Sequence, residues 1–170
     1  MKRILVIGCS GSGKTTLSRW LARRLNVPLV VLDAVYWKPG WQASSEEDFC
    51  RTVRTLTDRE AWVMDGTYHA SLVERLPVAD TVVWLDFPRW RCLWRVILRS
   101  LTQLGHVRSD MAPDCPERVD LEFLRYVWRF NEITRPRIGS AIEQARHPSV
   151  IVLRSPREVS RFRSEFAAPA

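Results

Sequence analysis

A chain of 170 residues with 46% hydrophobic content can fill one good core and is short for two, so a single domain over 1–170 is expected. No apolar run reaches the roughly 18 residues that span a bilayer, and the apolar start is interrupted too soon for a secretory signal, which predicts no membrane partner and a cytoplasmic setting. The net charge of +7 is almost wholly arginine, the lysines being Lys2, Lys14 and Lys38, a bias that suits phosphate in a small molecule or in nucleic acid and does not decide between them.

In chain order, Arg3 to Ile7 (RILVI) is a β-branched run suited to a buried parallel strand. It runs into Gly-x-x-x-x-Gly-Lys-Thr, met by Gly8, Gly13, Lys14 and Thr15. Glycines at 8, 11 and 13 let backbone N–H groups converge with no Cβ in the way. The helix expected over 14–25 aims its positive end into the loop, Lys14 reaches the β- and γ-phosphates, and the Thr15 hydroxyl suits Mg²⁺. The loop, residues 8–15, reads as a cradle for a nucleoside triphosphate, with Ser10, Ser12 and the following Thr16 among its expected contacts.

Further strands are expected at Leu29 to Asp33, Trp62 to Asp65, Thr81 to Asp86 and Ser149 to Leu153. Helices are expected at 46–59, 89–104, 117 to about 145 with a bend or break at Pro136, and 157–166. This alternation of apolar strands with helices predicts an α/β fold with a parallel sheet covered on both faces. Asp33, Asp65 and Asp86 end three of the strands, where open α/β sheets bind their ligands, so at least one is expected to order Mg²⁺ or its waters. Tyr36, Trp37 and Trp41 follow the second strand in a Pro-Gly turn, either anchoring it to the core or offering a plate for a flat acceptor.

In the helix over 89–104, Trp90, Leu93, Trp94, Ile97, Leu101 and Leu104 mark an apolar face, and Arg91, Arg95 and Arg99 form a stripe whose mutual repulsion an anion would relieve. The polar, proline-containing segment that follows reads as a mobile flap over the site, with Arg108 and Arg118 either carried in on closure or left on the surface. Cys9, Cys50, Cys92 and Cys115 show no metal spacing and read as reduced thiols. Cys9 is either a small filler of the loop or a reactive thiol at a helix N-terminus. His69, His106 and His147 receive no role.

These residues resemble the adenylate kinase-like branch of P-loop kinases, in MDGTY at 64–68 and in the pair Arg95 and Arg99. More closely, LDAVYWKPGW, WVMDGTYHASL, LDFPRWRCLWRVILR and RSDMAPDCPERVDLEFLRYVWRFNEITRPRI are similar to the FlaR-like family often labelled DNA topology modulation proteins. The kinase resemblance implies a three-layer α/β/α fold with a five-stranded sheet in the order 2-3-1-4-5, ATP and Mg²⁺ as cofactors, and a small helical lid over about 100–118. It implies that Asp65 acts beside the metal, that Arg95 packs near adenine, that Arg99 contacts phosphate, and that the turn around Arg154 borders adenine. Adenylate kinases carry Phe-Pro-Arg after the aspartate-glycine pair, where this chain has Thr67, Tyr68 and His69, which argues against AMP as acceptor.

The leading expectation is a phosphotransferase acting on a small acceptor held by Asp33, Trp37, Trp41, Asp65 and Tyr68, on an acceptor side spanning about 33–60. Lys14, Arg95, Arg99 and Arg108 would stabilise the transferring phosphoryl group, and Asp33 would orient or deprotonate the acceptor hydroxyl. The alternative is an ATP-dependent nucleic-acid-binding regulator, although no helix-turn-helix, zinc or coiled-coil signature is present. A GTPase switch is disfavoured by the lack of an Asn-Lys-x-Asp motif.

Overall fold

The computed structural model describes residues 1–145 and 148–167; His147 lies outside them. Five parallel strands, β1 (Arg3–Gly8), β2 (Leu29–Val31), β3 (Trp62–Asp65), β4 (Thr81–Leu85) and β5 (Ser149–Leu153), form one sheet in the order β2-β3-β1-β4-β5, as the resemblance implies. β1 is central, and Ile4 to Ile7 are all fully buried, which a strand shows only when both faces of its sheet are covered. Helices α1 (Lys14–Leu25), α2 (Leu32–Tyr36), α3 (Glu46–Thr57), α4 (His69–Arg75), α5 (Arg89–Thr102), α6 (Leu121–Ala145) and α7 (Pro156–Ala167) connect and flank the strands. Among the described residues no helix is long and apolar enough to cross a membrane.

Several expectations are corrected. β2 stops at Val31 because Leu32 turns inward as the first, fully buried residue of α2, which places Asp33 in a helical first turn. The Pro-Gly turn is a small hairpin, Trp37–Lys38 pairing antiparallel with Gln42–Ala43, and Gly40 and Trp41 make the reversal at φ 73° and 61°. α6 starts at Leu121, not 117, because the Asp120 carboxylate accepts from the Phe123 N–H at 3.1 Å as an N-cap. It then continues through Pro136 without a break.

The lid holds no helix of its own. After α5 ends at Thr102, residues 103–120 form two arms joined by bonds from Gly105 N to Glu117 O and from Glu117 N to His106 O, each 2.9 Å. Gly105 at φ 77°, Pro113, Asp114 at φ 56° and Pro116 leave no uninterrupted run longer than residues 106–112, too short to hold a helix without an amphipathic face packed on the core. Asp86 does not join the other two aspartates. Arg135 of α6 holds it by two bonds of 2.8 and 2.9 Å, tying the end of β4 to the long helix.

The apolar face expected on α5 is not its core face. Cys92, Val96 and Ser100 point inward, while Trp90, Trp94 and Leu101 stay 63%, 62% and 62% exposed and Leu104, just beyond the helix, 57%. The cause is the approach of the phosphate loop. A Cβ on Gly11 would sit 2.4 Å from the Cys92 carbonyl oxygen, so only small side chains fit between helix and loop. Gly11→Ala, which adds that clash to a φ of 80°, is expected to destabilise the protein by about 3 kcal/mol, read as a fall in Tm of roughly 6–12 °C.

Candidate active site

The phosphate loop leaves β1 at Gly8 and enters α1 at Gly13, and its glycines at 8, 11 and 13 have φ of 142°, 80° and 95°. At Gly8 a Cβ would come within 2.4 Å of the Leu85 carbonyl oxygen, so the loop lies directly against the end of β4. Thr67 braces it from the other side: its hydroxyl accepts from Gly8 N at 3.1 Å and donates to Gly8 O at 2.8 Å. Lys14 folds over the loop and donates from Nζ to the Cys9 carbonyl at 3.0 Å. The first turn of α1 carries no acidic residue, so nothing of its own neutralises the positive end of the helix. Contact with Cys92 and then burial push the Cys9 thiol well above its ordinary range, which fits a filler and not a reactive thiol.

Asp65, at the end of β3, is 3% exposed, and its Oδ1 is buried with no hydrogen-bond partner among the described residues. Burial raises its carboxyl to about 6, against the opposing pull of Lys14 and a hydrogen bond from Thr15; Asp33 and Asp110 raise it further. A desolvated carboxylate oxygen with no donor, next to a lysine and a threonine hydroxyl, is a place where a hydrated cation fits. Among the described residues no three His, Cys, Asp or Glu side chains form a protein-only cage.

From the loop a cleft of about 1390 Å³ runs to the acceptor side, and it draws in nearly every residue singled out from the sequence. Lys14, Thr15, Asp33, Asp65, Arg95, Arg99 and Arg108 line it, as do Trp37, Trp41 and Tyr68. Ser12, within the loop, is buried and does not line the cleft, and Arg154 lies off the cleft, its guanidinium 3.9 Å from Asp86. Arg91 leaves the expected stripe to lie over the Phe87 ring at 5.9 Å.

At the far end Asp33 accepts from the Tyr68 hydroxyl at 2.8 Å and stands 3.8 Å from Arg108. Arg108 also pairs with Glu117 at 3.2 Å and Asp110 at 3.8 Å, and Arg99 shares Glu117 at 3.1 Å. The lid therefore rests on the cleft with Arg108 inside, while Arg118 stays exposed over the Trp41 ring at 5.2 Å. Trp41 fastens it, donating from Nε1 to Pro116 O at 3.1 Å, while Gly40 N donates to Asp114 O at 3.1 Å and the buried Cys115 thiol donates to Lys38 O at 3.4 Å. Trp41 thus anchors the lid, and Trp37, packed edge-on against it at 5.3 Å, joins Tyr36, Phe49 and Tyr68 in one aromatic wall.

Two groups of residues escaped the sequence reading. Phe123, Tyr126, Thr134 and Arg137 project from one stripe of α6 into the cleft; their spacing is helical and would have marked a common face. Arg75 carried no such signal. It is fully buried with no carboxylate partner among the described residues, and its guanidinium donates to the carbonyls of Gly66 at 2.9 Å, Thr67 at 2.5 Å and Tyr68 at 3.2 Å. Burial lowers it to about 9. One side chain thereby holds the turn that presents Thr67 to the phosphate loop and Tyr68, at φ 28°, to Asp33. Arg75→Met strands those carbonyls and is expected to cost about 3 kcal/mol or more in urea unfolding.

No family model matches the chain. Among solved structures it is similar to the shikimate kinase from Acinetobacter baumannii in complex with shikimate, at TM-score 0.56 and 21% identity over 97% of this chain and 90% of that one. It is equally similar to the shikimate kinase from Bacteroides thetaiotaomicron, at TM-score 0.56 and 19% identity over 98% and 99%. The fold is that of the P-loop kinases. Identity this low carries the fold alone, and the shikimate bound by the first neighbour does not transfer with it.

Proposed function

We propose that this chain is an ATP-dependent phosphotransferase that passes the γ-phosphoryl group to a hydroxyl of a small acceptor, in the cytoplasm where ATP is held. The observation that carries the reading is the alignment of three features along one cleft: the glycine loop with Lys14, the unpartnered Asp65 oxygen beside Thr15, and Asp33 at the far end under the closed lid. Thr15 and Asp65 are the residues that would hold Mg²⁺, which when bound supplies charge neutralisation across the β- and γ-phosphates.

The loop over residues 8–16 and the N-terminus of α1 bind the triphosphate through the N–H groups that Thr67 and Cys9 O do not already occupy, with Lys14 turning from the Cys9 carbonyl to its outer phosphate. Arg95 and Arg137 line the cleft as further cations for it, and Arg95 flanks the loop with its guanidinium 3.5 Å from where a Gly13 Cβ would lie. Asp33, oriented by Tyr68, accepts the proton of the acceptor hydroxyl. Arg99 and Arg108 face the space between the two ends and exchange carboxylate partners for the transferring phosphoryl oxygens. The closed lid keeps water from competing with the acceptor.

The test is incubation with γ-labelled ATP and Mg²⁺ against a panel of nucleosides, nucleotides, sugars and hydroxy acids. A labelled product that is lost in Asp33→Asn is expected. ATP binding with no transfer to any member, together with steeply salt-dependent binding of duplex DNA, would overturn this reading in favour of a nucleic-acid-binding regulator.

A further inference from the structure

α5 carries three longitudinal stripes. At 100° per residue, Cys92, Val96 and Ser100 face the core, Arg95 and Arg99 turn toward the cleft, and Trp90, Trp94, Leu98 and Leu101 form the outer stripe. That outer stripe is bare: the four side chains are 63%, 62%, 49% and 62% exposed. The helix is thus inside out for a monomer, its charged stripe facing the cleft and its tryptophans facing solvent. A helix apolar on its outer face is a helix covered by something.

α6 packs beside α5 and extends the bare surface. Leu121 and Trp128 on it are 77% and 44% exposed, and Arg89 at the start of α5 lies over the Trp128 ring at 4.3 Å while pairing with Glu132. With roughly 150–250 Å² available per aromatic side chain and somewhat less per leucine, these six groups present on the order of 600 Å² of apolar surface. That is about the upper limit a monomer leaves bare and most of the roughly 800 Å² per partner that a stable interface buries.

We propose that this face is the interface of a two-fold dimer, the occupant being a second copy of the same chain with α5 antiparallel to α5. The order of side chains argues for it. Reading Trp, Trp, Leu, Leu along the stripe, an antiparallel mate sets Trp90 against Leu101 of the second copy and Trp94 against Leu98 of the second copy. One axis near residue 96 serves both pairs, so each flat ring meets a branched aliphatic group, and the contact is its own complement, as a two-fold requires. The exposed rim on α6 carries both signs, Glu122 and Glu132 beside Arg125 and Arg129, which a two-fold can pair across copies. An anionic bilayer would meet those carboxylates unfavourably. None of the four stripe residues lines the cleft, so the interface leaves its mouth open.

Sedimentation velocity of the full chain at 1–50 µM tests this. The wild type is expected at twice 19.8 kDa. The double variant Trp94→Glu/Leu98→Glu is expected as a monomer, its dissociation constant raised at least 100-fold, with far-UV circular dichroism and ATP·Mg²⁺ affinity unchanged. Should that variant fail to fold, the milder Leu98→Gln and Leu101→Gln are each expected to weaken the dimer about tenfold. A wild type that is monomeric at 50 µM, a dimer that survives folded stripe variants, or a monomer that co-sediments with phosphatidylserine vesicles would each overturn the proposal. None of these readings depends on phosphoryl transfer, so the dimer and the enzymatic reading fail separately.

Discussion

Lys14→Ala is expected to lower the phosphoryl-transfer rate by about 10³-fold while leaving Tm within a few degrees of the wild type. The loss is large because an ammonium aimed at the outer phosphate acts where charge shifts during transfer, in a cleft under a closed lid, and preorganised charges of this kind are worth on the order of 10²–10³ in kcat or more. The stability cost is small because, among the described residues, Lys14 Nζ has as its hydrogen-bond partner Cys9 O at 3.0 Å, on its own loop. Single-turnover transfer from labelled ATP, alongside a thermal melt, separates the two effects. Full turnover in the alanine variant would remove Lys14 from the mechanism.

Asp65→Asn is expected to abolish activity and yet make the nucleotide-free, Mg²⁺-free protein more stable at neutral pH. The sign follows from the shift. Asp65 is raised to about 6 in the folded protein, from an unfolded value near 4, so the native state binds more protons than the unfolded chain between those limits. Stability is therefore highest below about pH 4 with respect to this group, falls as pH rises from 4 to 6, and carries the full penalty above 6. A shift of this size corresponds to about 2–3 kcal/mol. The amide carries no charge to desolvate, so urea unfolding at pH 8 should show a gain of that order, absent at pH 4. A loss of stability at pH 8 would mean that the buried oxygen already has a partner in the free protein.

The phosphate loop was legible because its chemistry is local. Gly8, Gly11, Gly13, Lys14 and Thr15 lie within eight residues, and what each contributes follows from backbone freedom or reach alone. Asp33 and Asp65 were legible for a topological reason, since parallel strands deliver their carboxyl ends to one edge; Asp86 obeys the same rule but faces α6 and Arg135. Arg75 was not legible, because what matters is a turn seven to nine residues earlier that brings three carbonyls onto one guanidinium. The two faces of α5 show the limit of periodicity most plainly. Both stripes recur at helical spacing, the larger one looks like core, and only the close approach of Gly11 to the Cys92 carbonyl selects the smaller. The segment between α5 and α6 was expected to be helical and is not, because glycine and proline between two helices mark a break in the chain without specifying what fills it.

Trp41, Gly40 and Cys115 fasten residues 114–116 to the hairpin by four hydrogen bonds among the described residues. On the proposed reading, any movement of residues 114–116 away from the hairpin carries a toll, because those bonds must break first. Turnover would then depend on how often the latch springs open. Weakening it at Trp41 would quicken admission and at the same time let solvent in to squander the triphosphate.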